Sequence, residues 1–192
     1  KEFNPDGVME LQLGRLKNYM IRNNKYNVTD LQGNKLFQVP IVKSMTYSYT
    51  PEESEFYGKL TEFIENGMAY AGSLNRETGS IVMFVLITMQ KLASSSVAAI
   101  SNALKRRIQR FEDASFVQIG ENEQGALKEL LSLAERITEE TKLKTIMATI
   151  EADYPSEPIV FFTEYKATQS AIMSALMAKY GPDCVTFING DE

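Results

Sequence analysis

The chain has 192 residues, enough for one ordinary domain or two small ones, and 44% of them are hydrophobic, which can fill a core. The absence of histidine excludes a Ser-His-Asp triad, a Cys-His nucleophile and a two-His metal site within this chain. The single cysteine, Cys184, excludes an internal disulfide, and a net charge of −5 gives no global case for nucleic-acid binding.

The chain does not begin with methionine, so we expect it to be part of a longer protein. The apolar run Ile81–Met89 is shorter than the ~20 residues that span a membrane, and no signal-peptide pattern is present. With one free thiol, these features predict a cytoplasmic protein without a membrane partner.

The first fifty residues alternate between helical and extended patterns. Residues 8–22 carry an apolar stripe at helical spacing, and Asp30–Asn34 has the composition of a turn. From Ile41 to Tyr49 the period changes to two, with Tyr47 and Tyr49 on one face, which predicts a strand.

Residues 50–155 read as successive helices. Thr50-Pro51-Glu52-Glu53 has the pattern of a capping box with proline in the first turn. A helix should follow to about residue 68, and then a loop over Gly72–Gly79. Residues 80–112 should form one long helix or two, although the β-branched residues at the start of this range could form a buried strand instead. Beyond a linker at 114–121, two more helices are predicted, the second capped by Thr138.

The sequence pattern changes from helical to strand-like after Tyr154–Pro158, a cluster with two prolines that should end the preceding helix. Ile159–Phe162 and Cys184–Ile188 read as buried strands, the second with an inert Cys184, and residues 163–180 form a turn and a helix between them. Strand, helix and strand make a βαβ unit, and two strands alone leave an open edge. A homodimer through that edge is therefore expected.

Four stretches, taken in order, carry a family resemblance. They are Leu16–Lys25 with Val28–Asp30, Phe37–Pro51, Leu92–Ile100 with Leu104–Arg107, and Lys142-Leu143 with Pro158–Thr168. Their order and spacing resemble the middle of a Swi/Snf-like helicase of superfamily two, a DEAD/DEAH-type DNA translocase related to the bacterial HepA/RapA type. Asn18 and Asn23 depart from the family's arginines, and Glu164 stands where the family more often has glutamine.

The resemblance implies an α/β, predominantly helical fragment in three parts. Residues 1–50 would be the trailing end of a first RecA-like lobe, 51–155 a helical linker or insertion, and 156–192 the opening βαβ of a second lobe. The parent would be an ATP-dependent helicase that uses ATP and Mg²⁺ to move along DNA, and the missing remainders of both lobes would be partners of this fragment.

No catalytic, cofactor-binding or metal-binding residue can be assigned in this chain. Gly58-Lys59 is followed by Leu60 rather than by the Ser or Thr of a phosphate-binding loop. The parts that transfer a phosphoryl group would lie outside these 192 residues. We therefore expect the chain alone to be inactive toward ATP.

Two groups of residues are candidate DNA contacts. Lys105, Arg106, Arg107 and Arg110 form a basic cluster on the helix that ends near residue 112. Of these, Lys105, Arg106 and Arg110 are the candidate contacts, although a solvated polar face explains them as well. Thr163, Tyr165 and Lys166 lie at the predicted strand–helix turn, where motif IV residues of such helicases line the nucleic-acid track, although Thr163 can also simply cap the helix. Arg22, in the basic N-terminal third, is a further candidate.

A self-standing helical protein-interaction module without motor activity is the alternative. Its acidic helices would bind a partner, and its C-terminal strands would pair with another chain. The flanking reading frame would discriminate the two hypotheses, because a phosphate-loop lysine upstream and an arginine-finger segment downstream would favour the motor.

Overall fold

The computed structural model describes residues 19, 24–38, 40–112, 116–120 and 122–190. The chain divides into two compact units, Lys1–Met45 and Thr46–Glu192. In the first, the predicted turn is confirmed, because the Asp30 carboxylate accepts hydrogen bonds from the backbone N–H groups of Gln32 (2.9 Å) and Asn34 (2.8 Å). The helix predicted over 8–22 and the candidate Arg22 lie outside the described residues, apart from Tyr19.

The second unit is helical. Its elements in chain order are α1 (Pro51–Ser73), α2 (Arg76–Ser95), α3 (Val97–Gln109), a 3₁₀ turn (Arg110–Glu112), α4 (Glu123–Arg136), α5 (Thr141–Asp153), α6 (Lys166–Tyr180) and a second 3₁₀ turn (Pro182–Cys184). Helix α1 packs against α2 and α4, and α3 packs against α2, α4 and α6.

Local capping explains where the first helices begin. The predicted capping box is confirmed: Thr50 Oγ1 accepts from Glu53 N (3.2 Å), and Glu53 Oε2 accepts from Thr50 N (2.8 Å). The break predicted over 72–79 is shorter in the structure: α1 ends at Ser73, and the Asn75 side chain accepts from Thr78 N and starts α2 at Arg76. Residues 80–112 are helical, and the alternative of a strand at their start is wrong.

The core is formed by the apolar stripes of α1 to α4. Its buried members include Phe56, Leu60, Ile64, Val82, Leu86, Met89, Ile100, Leu104, Leu127 and Leu130. Gly67 allows the close approach at its centre, since a Cβ there would lie 2.6 Å from Ile119 Cγ2 and 2.9 Å from Leu86 Cδ2. The helices therefore pack with little space to spare at this point.

The predicted fold class is wrong. Among the described residues no strand is present, so the opening βαβ of a RecA-like lobe is not formed. The segments Ile41–Tyr49 and Ile159–Phe162 have no strand assignment, and Cys184–Ile188 begins in a 3₁₀ turn with Cys184 exposed rather than buried. A strand exists only when a second backbone completes its ladder, and the part of the chain that is described supplies no such partner to these apolar runs.

Helix α2 is 20 residues long with a mean hydropathy of 1.2, so by length and composition alone it could cross a membrane. One of its faces, which includes Val82, Leu86 and Met89, is buried in the core with α1 and α3. Core helices commonly share this composition.

Candidate functional site

Four helix ends and the start of α6 are tied together by a polar junction. We give this name to Glu53, Ser94–Ser96, Glu140–Lys142 and Thr168. Its first link joins the starts of α1 and α5: the Glu53 carboxylate accepts hydrogen bonds from Thr141 N (2.7 Å) and Thr141 Oγ1 (2.5 Å). Glu53 is fully buried, so these bonds replace its water contacts.

The second link joins α5 to the α2–α3 corner. Glu140 Oε2 accepts from Val97 N (3.1 Å), the first residue of α3. Lys142 Nζ donates to the carbonyl oxygens of Ser94 (2.8 Å) and Ser95 (2.9 Å) at the end of α2. A carboxylate at a helix start and an ammonium at a helix end both match the direction of the helix dipole.

The third link consists of hydroxyl groups and reaches α6. Ser95 Oγ and Ser96 Oγ each lie 2.7 Å from Thr168 Oγ1, and Ser96 Oγ also accepts from Ala99 N (3.1 Å) to cap α3. Ser96 and Thr168 are buried. The three links together fix the relative positions of α1, α2, α3, α5 and α6 at this corner.

The pKa values of the two carboxyl groups of the junction are shifted in opposite directions. Burial by itself raises the pKa of Glu53, but hydrogen bonds from Thr141 and Thr50 outweigh it, and the pKa lies below the ordinary value. Burial raises the pKa of Glu140 above its ordinary value, and the bond from Val97 N and the charge of Lys142 only partly oppose this. Burial, followed by the Glu140 charge, raises the pKa of Tyr57.

An open cleft of about 670 Å³ adjoins the junction. One wall carries Gln90, Lys91 and the Ser94–Ser96 turn, and the other sides are formed by the starts of α5 and α6 and by the segment before α6. Polar groups converge beside apolar side chains, as is typical of binding sites. Of the candidate DNA contacts, Thr163 and Tyr165 line this cleft.

The three candidate DNA contacts at the start of α6 are close in the chain but have different structural roles. Tyr165 is the N-cap, no side-chain cap bond is present there, and Thr163 Oγ1 accepts from Tyr165 N at 3.4 Å. Lys166 is the first residue of α6 and is exposed. The predicted cap by Thr138 is also wrong, because Glu140 occupies the N-cap position of α5.

The basic cluster lies at the other end of α3. Lys105 Nζ pairs with Glu135 Oε1 at 3.1 Å on α4, and Arg106 is exposed. Arg106 is nine residues beyond Val97, which corresponds to roughly 14 Å along a helix. The structure thus divides the described candidate DNA contacts between the start of α6, where Thr163 and Tyr165 line the cleft, and the far end of α3, where Arg110 is the C-cap.

Arg107, which belongs to the same sequence cluster, has a structural role. It forms an ion pair with the fully buried Glu123 and donates to Val117 O (2.8 Å). Its guanidinium also lies over the Phe116 ring, 4.5 Å from the centroid. The second oxygen of Glu123 accepts from Ile119 N (2.6 Å), so the pair fixes the described part of the loop before α4.

Sequence reasoning missed the second partner of Glu53 and the roles of Glu140 and Glu123. Glu53 was found only as a local capping residue, because nothing near it in sequence indicates a partner 88 positions away. Lys142 was identified only as part of the fourth stretch that resembles the family, and its bonds to Ser94 and Ser95 were not predicted. Within the described ranges, no three Cys, Asp or Glu side chains are grouped so that they could hold a metal ion.

Comparison with known proteins gives no assignment: no family model, no curated protein and no solved structure matches the chain. The resemblance to Swi/Snf-like helicases therefore stays a prediction that rests on the order of four sequence stretches.

Proposed function

We propose that this chain is a non-catalytic helical segment of a cytoplasmic Swi/Snf-like DNA translocase, which couples the two motor lobes and contributes to DNA binding. One observation carries the proposal. Two of the four stretches that resemble the family, the one that begins at Leu92 and the one made of Lys142-Leu143 with Pro158–Thr168, contribute residues to the polar junction and its cleft. A shared location gives a physical reason for these stretches to occur together.

The geometry of the junction suits mechanical coupling. Its hydrogen bonds fix several helix ends at one point, so a displacement of α6 would be transmitted through Thr168 to the α2–α3 corner and through Lys142 to α5. Buried polar networks specify one arrangement because every alternative leaves polar groups without partners. ATP and Mg²⁺ would be bound by other parts of the parent, and we expect no ATP hydrolysis by this chain.

DNA contact would come first from the start of α6. The hydroxyl of Thr163, the ring of Tyr165 and the ammonium of Lys166 are side chains of the kinds that contact phosphates and stack on bases. Lys105, Arg106 and Arg110 would add a separate basic contact at the end of α3. Because the chain carries a net charge of −5, its affinity alone should resemble weak non-specific binding, with a dissociation constant of roughly 10⁻⁴ to 10⁻⁶ M.

Fluorescence anisotropy with a labelled duplex tests this assignment through point variants. Lys166→Ala should weaken binding by a similar factor for duplexes of unrelated sequence, and so should Arg106→Ala. Each should also make the slope of the logarithm of the binding constant against the logarithm of the salt concentration shallower by about one. Lys59→Ala is the matched control, since Lys59 is an exposed lysine of α1 that pairs with Glu62. Equal effects of all three variants would contradict a specific DNA face.

An interaction module without a motor is the second candidate, and the outer face of α2 favours it. Ile81, Phe84 and Ile87 are exposed at three-residue spacing, with 72% of Phe84 accessible. An amphipathic groove or helix of a partner could cover such a stripe. Absence of DNA binding would support this candidate over the translocase segment.

A further inference from the structure

Helix α5 lies outside the apolar core formed by α1 to α4. None of its 13 residues is buried. Its apolar residues Leu143, Ile146, Met147 and Ile150 are half-buried, and within the described ranges they are neither members of the core nor packed against it. Helices in proteins derive most of their stability from the packing of an apolar face, so polar bonds must supply much of the attachment of α5.

The polar bonds that join α5 to the earlier helices are concentrated at its start. The junction bonds of Glu140, Thr141 and Lys142 lie at the N-cap and the first two residues of the helix. Near the other end, Glu151 forms an ion pair with Lys179 of α6, and the two side chains are 46% and 43% exposed. Exposed ion pairs contribute little to stability, so the start of α5 is the point that holds it.

We propose that α5 is a movable wall of the cleft, held in place by the junction bonds at its start and detached as a unit when they break. Leu143 and Ile146 line the cleft of about 670 Å³, so detachment of α5 would widen it on that side. The hydroxyl link of Ser95, Ser96 and Thr168 does not involve α5 and would keep α6 against α3. This inference goes beyond the proposed function and does not depend on it.

The connections on both sides of α5 permit this movement. Before the helix, Thr138 and Glu139 are exposed and follow Ile137, which packs against the core. After the helix, which ends at Asp153, residues 155–158 are exposed. Both connections therefore run through solvent, and α5 can leave its place without displacing a buried side chain.

Detachment should make the backbone of α5 accessible to hydrogen exchange. An isolated helix of 13 residues is marginal in water, so α5 should lose its hydrogen bonds once it leaves the other helices. Its amides would then exchange through this local opening, whereas the slowest amides of the core helices exchange through global unfolding.

Native-state hydrogen exchange of the full 192-residue chain, followed by NMR at increasing urea concentrations, tests the proposal without a variant. In the absence of urea, amides of residues 145–153 should exchange about 100-fold faster or more than the slowest amides of α1 to α3, after correction for intrinsic rates. Their exchange should also respond less to urea, because the local opening exposes less surface than global unfolding. Exchange of α5 at the core rate, with the same urea dependence, would overturn the proposal.

Two lysine variants test whether the junction holds α5. Lys142→Met removes the bonds to the Ser94 and Ser95 carbonyl oxygens and should accelerate exchange of the α5 amides about tenfold or more. Lys144→Met is the matched control on the same helix, because Lys144 pairs only locally with the exposed Glu139, and it should accelerate them less than about threefold. Equal effects of the two variants would overturn the role of the junction.

A core variant tests whether α5 opens independently of the other helices. Ile64→Val removes one methyl group from a buried position of α1 and should accelerate the slowest core amides by roughly fivefold. The α5 amides should be unaffected, since this contact stays intact when α5 alone detaches. An equal acceleration of the α5 amides would show that α5 opens only when the whole protein unfolds, and would overturn the proposal.

Discussion

The carboxylate of Glu53 accepts two hydrogen bonds from Thr141, a residue 88 positions further along the chain. The same carboxylate accepts the backbone N–H of Thr50 in the capping box of α1. One side chain thereby organises the starts of α1 and α5. Because α5 has no fully buried residue, polar bonds at its start contribute much of its attachment to the other helices.

Replacing Glu53 should be costly. Glu53→Ala leaves the Thr141 and Thr50 donors without a charged acceptor in a buried site, and we expect the free energy of unfolding to fall by about 3 kcal/mol. Glu52→Ala, at an exposed position in the same turn, should change it by less than about 0.5 kcal/mol. Urea unfolding followed by circular dichroism measures both, and a similar small loss in the two variants would contradict the role of Glu53.

The two junction carboxyls should affect the pH dependence of stability in opposite ways. The folded pKa of Glu53 lies below its ordinary value of 4.5, so its contribution is present above pH 4.5 and is lost as the pH falls through the folded pKa. The folded pKa of Glu140 lies above 4.5, so the folded state binds that proton more tightly, and stability falls as the pH rises from 4.5 through the raised pKa.

Glutamine variants separate these two contributions. Glu53→Gln should flatten the stability profile below pH 4.5, and Glu140→Gln should flatten it above pH 4.5 while its amide oxygen still accepts from Val97 N. Urea unfolding across the acidic range provides the profile. Identical profiles for Glu140→Gln and the unmodified chain would show that the Glu140 carboxyl does not titrate in this way.

The local features of the helices could be predicted from sequence, whereas the contacts between them could not. Thr50, Pro51 and Glu53 lie within four residues, so their capping geometry follows from spacing alone. The bond from Glu53 to Thr141 depends on how α1 and α5 pack, which no local pattern records. Glu123 is similar: a glutamate in a polar stretch gives no sign that it will be fully buried against Arg107.

The predicted strands failed for a related reason. The apolar run Ile159–Phe162 has the composition of a buried strand, but a strand also requires a neighbouring backbone, and the described residues place none beside it. The strand predicted from the alternating pattern of Ile41–Tyr49 is wrong for the same reason. There the tyrosines find aromatic contacts instead, with Tyr49 stacked on Tyr57 of α1 at 4.6 Å between centroids.

Two glycines of α1 should respond in opposite directions to alanine. At Gly58 an added Cβ meets nothing within 4 Å, so Gly58→Ala should stabilise the protein by about 0.5 to 1 kcal/mol through helix propensity. At Gly67 it would overlap Ile119 and Leu86, so Gly67→Ala should destabilise by about 1 to 3 kcal/mol. Thermal unfolding of the pair checks the signs, and stabilisation by both would refute the close packing at Gly67.

The Arg107–Glu123 pair should dominate the electrostatic contribution of α3. Arg107→Leu leaves the buried Glu123 carboxylate without its cation and should cost about 3 to 5 kcal/mol of unfolding free energy. Lys105→Leu breaks only the exposed pair with Glu135 and should cost less than about 1 kcal/mol. A double-mutant cycle with Glu123→Gln should give a large coupling energy for Arg107; a coupling near zero would contradict a buried ion pair.

Titration of the unmodified 192-residue chain into a fluorescein-labelled DNA duplex, at low and at physiological salt, is the most direct test of its assignment to a DNA translocase. We predict saturable, sequence-independent binding that weakens as salt rises, since phosphate contacts release counterions. No change in anisotropy up to protein concentrations well above 10⁻⁴ M, the upper end of the roughly estimated range for non-specific binding, would contradict the assignment.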